Sequence, residues 1–197
     1  MRKFLFAALP LLLLAACPIC PEDKEPIVSY EILFSPQDHV ADELISLINK
    51  EKKSVKAAVF CLMHRGIAKA MIDAHNRGVA IEIIVDPFSV KNHSPLAKMA
   101  AANLPIYVWY PPPSAKPRKA GKNKNRKPLM HDKFCVLGNK RVWTGSFNFT
   151  FEAATRNREN VIVLENESVA GLYLEEFERL KEEGCMVYAE YMAQKNR

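Results

Sequence analysis

His131 and Lys133 stand two residues apart, and Ser146 and Asn148 repeat that spacing a short way further on. Alternate side chains of an extended strand share a face, so each pair presents its polar groups together. Between the pairs lie two strand-like runs, Lys133 to Leu137 and Arg141 to Thr144, joined through Gly138-Asn139, a dipeptide suited to a tight hairpin turn. Folding back at that turn returns the chain from Lys133 towards Gly145 and Ser146. An imidazole, an ammonium, a hydroxyl and a carboxamide then converge. Such a group is a cradle for a tetrahedral anion with one nucleophile or base among its donors. Gly145, lacking a side chain, lets backbone approach closely at that point.

Taken alone, His131-Asp132-Lys133 reads by default as an exposed polar strand end. The longer stretch MHDKFCVLGNKRVWTGSFNFT, followed by RNREN, is more specific. It resembles the single-motif bacterial endonucleases of the phospholipase D superfamily and their mitochondrial relatives, and the resemblance extends from about Tyr30 to Gly184. It implies that His131 is the nucleophile that attacks phosphorus and forms a phosphohistidine. Lys133 and Asn148 would hold the non-bridging oxygens, Ser146 would support them, and Glu159 would hydrogen-bond His131, orienting the imidazole. One position departs from the family pattern: its acid falls here on Gly138, at the expected turn and away from the cradle.

In-line displacement needs an attacking group on one side of phosphorus and a proton donor on the other. The chain holds one motif, and His39, His64, His75 and His93 lack companions at this spacing. The resemblance implies a two-fold homodimer in which His131 of each chain flanks the phosphate. Neither paired carboxylates nor a Cys/His set with zinc spacing is present. No metal and no other cofactor is expected, with Lys133 supplying the positive charge.

The elements that must position these groups alternate from Ile27 onward. Strand-like runs at Val28 to Phe34, Val55 to Leu62, Val79 to Val85 and Pro105 to Trp109 are separated by helical patterns at Asp38 to Lys50, Ile67 to Asn76 and Pro95 to Asn103. After the hairpin come a short helix at Thr150 to Thr155, a strand at Asn160 to Leu164 and a helix from about Ser168 to Glu183. This order predicts an α/β domain over residues 27–188, a mixed sheet with helices on both sides and the phospholipase D/nuclease fold, with 189–197 as a polar C-terminal tail.

The first residues read as an export signal. Arg2 and Lys3 precede an apolar run, Phe4 to Leu14, and small residues follow at Ala15-Ala16, giving a signal peptide over 1–16. The run is shorter than the ~20 residues of a membrane-spanning helix. Leu14-Ala15-Ala16-Cys17 resembles a bacterial lipobox, which makes Cys17 the lipidated residue of a periplasmic or cell-surface lipoprotein and 17–26 its tether. The alternative is a plain secretory signal that ends near a cysteine, releasing a soluble periplasmic protein. Cys61 and Cys135 lie in apolar runs and read as buried thiols, with a disulfide between them as the alternative in an oxidising compartment.

Formal charge is +6, yet Lys116, Arg118, Lys119, Lys122, Lys124, Arg126 and Lys127 crowd between Ser114 and Pro128 without one acid. With three prolines before it, the segment reads as a surface loop. Beside a phosphodiester site it is a candidate for contacting several nucleic-acid phosphates. The leading expectation is an endonuclease on DNA or RNA. The alternatives are a phospholipase acting on membrane head groups and a non-catalytic nucleic-acid-binding surface protein. Tyr107, Trp109 and Tyr110 read as core and rim aromatics, with stacking on the bases of a single strand as the alternative, and Phe147, Phe149 and Phe151 as packing residues.

Overall fold

The computed structural model describes residues 29–110 and 128–196. The leader, Cys17 with its tether, and all seven cations from Lys116 to Lys127 lie outside the described residues.

One eight-stranded sheet organises the domain, in the order β1-β7-β6-β5-β2-β3-β4-β8. β1 (Ser29–Ser35) is antiparallel to β7 (Glu159–Glu165), which continues into β6 (Arg141–Gly145) and β5 (Lys133–Leu137), all antiparallel. β5 pairs antiparallel with β2 (Ser54–Val59), which runs parallel to β3 (Ala80–Val85), itself parallel to β4 (Ile106–Trp109). Parallel neighbours need a crossover, supplied by α2 (Arg65–Asn76) and α3 (Leu96–Ala101). The central strands read as continuous apolar runs because both of their faces are covered.

Helices lie on both faces, as the sequence pattern predicts. α1 (Val40–Lys50), α2 and α3 bury Leu44, Ile48, Ile67, Met71, Leu96 and Met99 against one face. α5 (Glu167–Gly184) buries Ala170, Phe177 and Leu180 against the other. Local chemistry sets the helix starts. The Asn166 side chain accepts from Val169 N at 2.9 Å, and His64 Nδ1 accepts from Ile67 N at 3.2 Å.

The C-terminal end departs from expectation. Cys185–Val187 forms β8 on β4, and Tyr188–Lys195 forms α6 where a polar tail is expected. Tyr188, Tyr191 and Met192 pack against the core, although no α6 residue is fully buried. The segment is polar in composition, and three partly covered side chains are too sparse a pattern to reveal its helix.

Cys61, Cys135 and Cys185 are free thiols. Cys135 pairs with Ala57 across β2, which puts Cys61 roughly 13 Å further along that strand and out of disulfide reach.

Lys56 and Glu82 are register partners on β2 and β3, 2.9 Å apart, beneath α5. α5 returns Lys181 to Glu82 at 2.5 Å and Glu178 to Lys56, closing a four-membered ion cluster between helix and sheet. Burial opposes ionisation of Glu82, but hydrogen bonds from Lys181 and Lys56 outweigh it and hold its carboxyl below the ordinary value. The resulting stability is present at neutral pH and is lost as pH falls through the folded-state pKa. Glu82→Gln should therefore destabilise the domain by about 1–2 kcal/mol at pH 7, between the values for exposed and buried pairs. Urea unfolding should show the gap between the variant and the native chain narrowing in acid.

Candidate active site

The ends of β2, β3, β5, β6 and β7 that carry Val59, Val85, Lys133, Gly145 and Glu159 lie together at one end of the sheet. Phe134 pairs with Thr144 and Leu137 with Arg141, a register that sets Lys133 opposite Gly145 as the hairpin requires. Gly145 has φ of 156°, and a Cβ there would fall on the Asn160 carbonyl. Ser146 N donates to that same carbonyl at 3.0 Å. The approach of β6 to β7 at this point thus excludes any side chain.

Two clusters result. In the first, Lys133 Nζ lies 3.1 Å from His131 Nδ1 and 2.5 Å from the His131 carbonyl oxygen. An ammonium has only donors, so Nδ1 accepts and the ring proton sits on Nε2. An incoming anion would draw the ammonium away and release Nδ1. Lys133 is half-buried, and burial lowers its pKa against the opposing pull of Asp132 and Glu159. A partly desolvated cation with no carboxylate in hydrogen-bond contact among the described residues is well prepared for a phosphate.

In the second cluster, Ser146 Oγ donates to Glu159 Oε2 at 2.5 Å and accepts from Asn160 N at 3.1 Å. Asn157 Nδ2 donates to Glu159 Oε1 at 3.0 Å. The Ser146 hydroxyl is therefore committed to holding Glu159. Within one chain Glu159 bonds to Ser146 and Asn157 and not to His131, so the expected carboxylate–imidazole bond is replaced by the Lys133 contact.

Asn148 is fixed from its neighbours. Phe149 N donates to the Cys61 carbonyl, and the Phe149 carbonyl accepts from Met63 N and His64 N, so the loop after β6 docks on the chain leaving β2. The Asn148 Oδ1 atom is buried without a hydrogen-bond partner. Phe147 and Phe149 are fully buried, as expected of packing residues, whereas Phe151 is exposed. Trp109 belongs to the core and Tyr107 packs on it.

Gly138 adopts φ of 65° in the turn, roughly 16 Å along β5 from Lys133. The Glu51 carboxylate stands beside it, 3.5 Å from where a Cβ would be, and accepts from Lys52 N and Lys53 N. An acid at position 138 would confront that charge.

Three positioning residues are not evident from motif spacing. Asp86, almost fully buried, accepts from Met130 N at 3.0 Å through Oδ2 and from Phe88 N at 2.8 Å through Oδ1. It ties the residue before His131 to the end of β3. Ser35, also buried, donates to the carbonyls of Ala153 at 2.7 Å and Asn157 at 3.1 Å, bracing the corner that leads to Glu159. The Phe60 ring packs on the His131 imidazole at 4.7 Å. Asp86-Pro87 reads in sequence only as the end of a strand. Among the described residues no group of three or more His, Cys, Asp and Glu side chains is placed to share a metal ion.

Residues 44–181 match a family model described as cardiolipin synthase, PLD-like domain. The chain is 30% identical over 143 residues to a phospholipase D of Rickettsia bellii, covering 72% of this chain and 64% of that protein. It is 26% identical over 147 residues to the mitochondrial cardiolipin hydrolase of Xenopus tropicalis, covering 74% and 63%. It spans between half and two thirds of the length of these curated relatives. Nuc from Salmonella typhimurium, a phospholipase D family member, superposes with a TM-score of 0.67 at 27% identity, covering 82% of this chain and 98% of that one. NucT from Helicobacter pylori shares the fold, with a TM-score of 0.72 at 24% identity over 82% and 99%.

In Asp86→Asn an amide N–H would face the Met130 N–H in place of an acceptor. The variant should stay folded, lose about 1–3 kcal/mol of stability for the unpaired donor, and show kcat reduced about tenfold or more by misplacement of His131. KM should change little, which steady-state kinetics beside urea unfolding will establish.

Proposed function

Because the chain belongs to the phospholipase D superfamily through its PLD-like domain, we propose that it is a metal-independent phosphodiesterase that cleaves nucleic acid through a phosphohistidine at His131. The observation that carries this reading is that the Lys133–His131 contact and the Ser146–Glu159 bond lie at the same end of the sheet, with Asn148 in the loop that leaves β6 there. Lys133 and Asn148 bind the non-bridging oxygens, and the charge on Lys133 offsets the charge that grows there in the transition state. His131 attacks phosphorus, the leaving oxygen takes a proton from a second imidazole, and water then releases the enzyme.

That second imidazole is His131 of a partner chain. A self-association surface is at hand: Tyr30, Ile32 and Phe34 form an exposed apolar row on the edge strand β1, whose last residue, Ser35, pairs with Glu159. Exposed apolar strand edges are a hazard unless covered.

What favours nucleic acid as substrate is the basic tract, which ends at Lys127, four residues before His131, so the connecting chain spans at most ~14 Å. The second reading, hydrolysis of phospholipid head groups, draws on the names of the curated relatives. Lipidation at Cys17 would hold the enzyme at a membrane under either reading.

Purified protein in EDTA should cleave single-stranded DNA, plasmid or RNA, sediment as a dimer, and lose activity by roughly 10³-fold or more in His131→Asn while still binding its substrate. Cleavage of cardiolipin or phosphatidylcholine vesicles with all nucleic acids left intact would overturn the choice of substrate. Full activity from a strict monomer would overturn the shared site.

A further inference from the structure

Beside the candidate site, three side chains form a stack that the proposed chemistry does not use. The Phe60 ring, against His131 on one side, lies 4.9 Å from the Phe88 ring with an interplanar angle of 16°. Phe88 follows Asp86 in the short 3₁₀ turn Pro87–Ser89 and is 48% exposed. The Lys91 ammonium lies 3.5 Å from the Phe88 ring centre. The order from the nucleophile outward is therefore imidazole, phenyl, phenyl, ammonium.

Core packing does not account for the outer half of this stack. Phe60 needs a cover, but a half-exposed phenyl capped by a solvated lysine leaves much apolar area wet. Asp86 and Ser89 hold the turn rigidly: Ser89 Oγ donates to the Phe60 carbonyl and accepts from Leu62 N, both at 3.0 Å. The exposed ring is thus locked at a set distance from His131. Beyond it, Asn92 to Pro95 lead into a recess lined also by Arg65, Lys98 and Lys69, the last paired with Asp73 on α2.

We propose that Phe88, backed by Phe60, is a stacking platform for the base of a nucleotide next to the scissile phosphate, with Lys91 turning from the ring to a phosphate when the strand binds. The inference rests on the nucleic-acid reading above and specifies how that site takes its substrate. An exposed cation–π contact is the weaker interaction of the two, and base-on-aromatic stacking the stronger. A base therefore displaces Lys91, and the freed ammonium meets the negative backbone. The cations of the recess continue the path of the strand away from His131. Stacking tolerates any base, so the platform favours single strands without selecting sequence.

The test compares cleavage of a thymidine oligonucleotide with that of an abasic oligomer of the same length, using the full-length protein in EDTA. The ratio of kcat/KM for the two should fall about tenfold in Phe88→Ala, within the range of one stacked base, and be restored in Phe88→Trp. Lys91→Ala should raise the salt sensitivity of neither substrate and instead reduce it, by loss of one phosphate contact. An unchanged ratio in Phe88→Ala, or equal loss on both oligomers, would overturn the platform while leaving the nuclease reading intact. Native protein that cleaves neither oligomer but does cleave phospholipid vesicles would overturn both.

Discussion

Antiparallel pairing of β5 with β6 decides whether this molecule has a site at all. Because side chains alternate, a slip of one residue would turn Lys133 towards the α5 face and bring Asp132 into its place. Three features hold the register. The turn at Gly138 has the positive φ a tight return requires, and Gly138 N is bonded to the Ser54 carbonyl at 2.8 Å. The inner face packs Cys135 and Trp143 into the core. At the far end Gly145 admits the Asn160 carbonyl where any Cβ would collide. The glycines at the two ends of the hairpin therefore serve different needs, a conformation at one and a close approach at the other.

From that register follows a division of labour among the polar groups. Ser146 and Asn157 hold Glu159, while Lys133 is left against an imidazole rather than a carboxylate. An ion pair at Lys133 would have neutralised the charge that suits it to meet an anion. An ion-pair cluster lies elsewhere, where Lys56, Glu82, Lys181 and Glu178 fasten α5 to the sheet. Stability and chemistry thus use separate sets of charges, the former on the α5 face of the sheet and the latter at its end.

Much of this is legible in the residues themselves. Alternating strand and helix patterns lead to the mixed sheet, and the paired spacings of His131 with Lys133 and Ser146 with Asn148 mark the cradle, because strand periodicity translates directly into a shared face. What stays hidden depends on contacts between distant segments. Asp86 supports Met130 from 44 residues away and Ser35 supports Asn157 from 122 away, and nothing in local spacing announces either. The bond expected between Glu159 and His131 failed for a related reason: sequence order places both near the site but does not say which oxygen is already taken. α6 is not legible because its few core contacts leave no strong apolar period.

The claim on which the account turns is that His131 forms a covalent bond to phosphorus. Rapid mixing of the protein with an end-labelled oligonucleotide in EDTA, followed by alkaline quenching and peptide mass spectrometry, reads this directly. The account predicts a phosphorylated adduct on the peptide that contains His131, formed within one turnover and absent from His131→Asn. Turnover of the oligonucleotide without any adduct at His131 would contradict it.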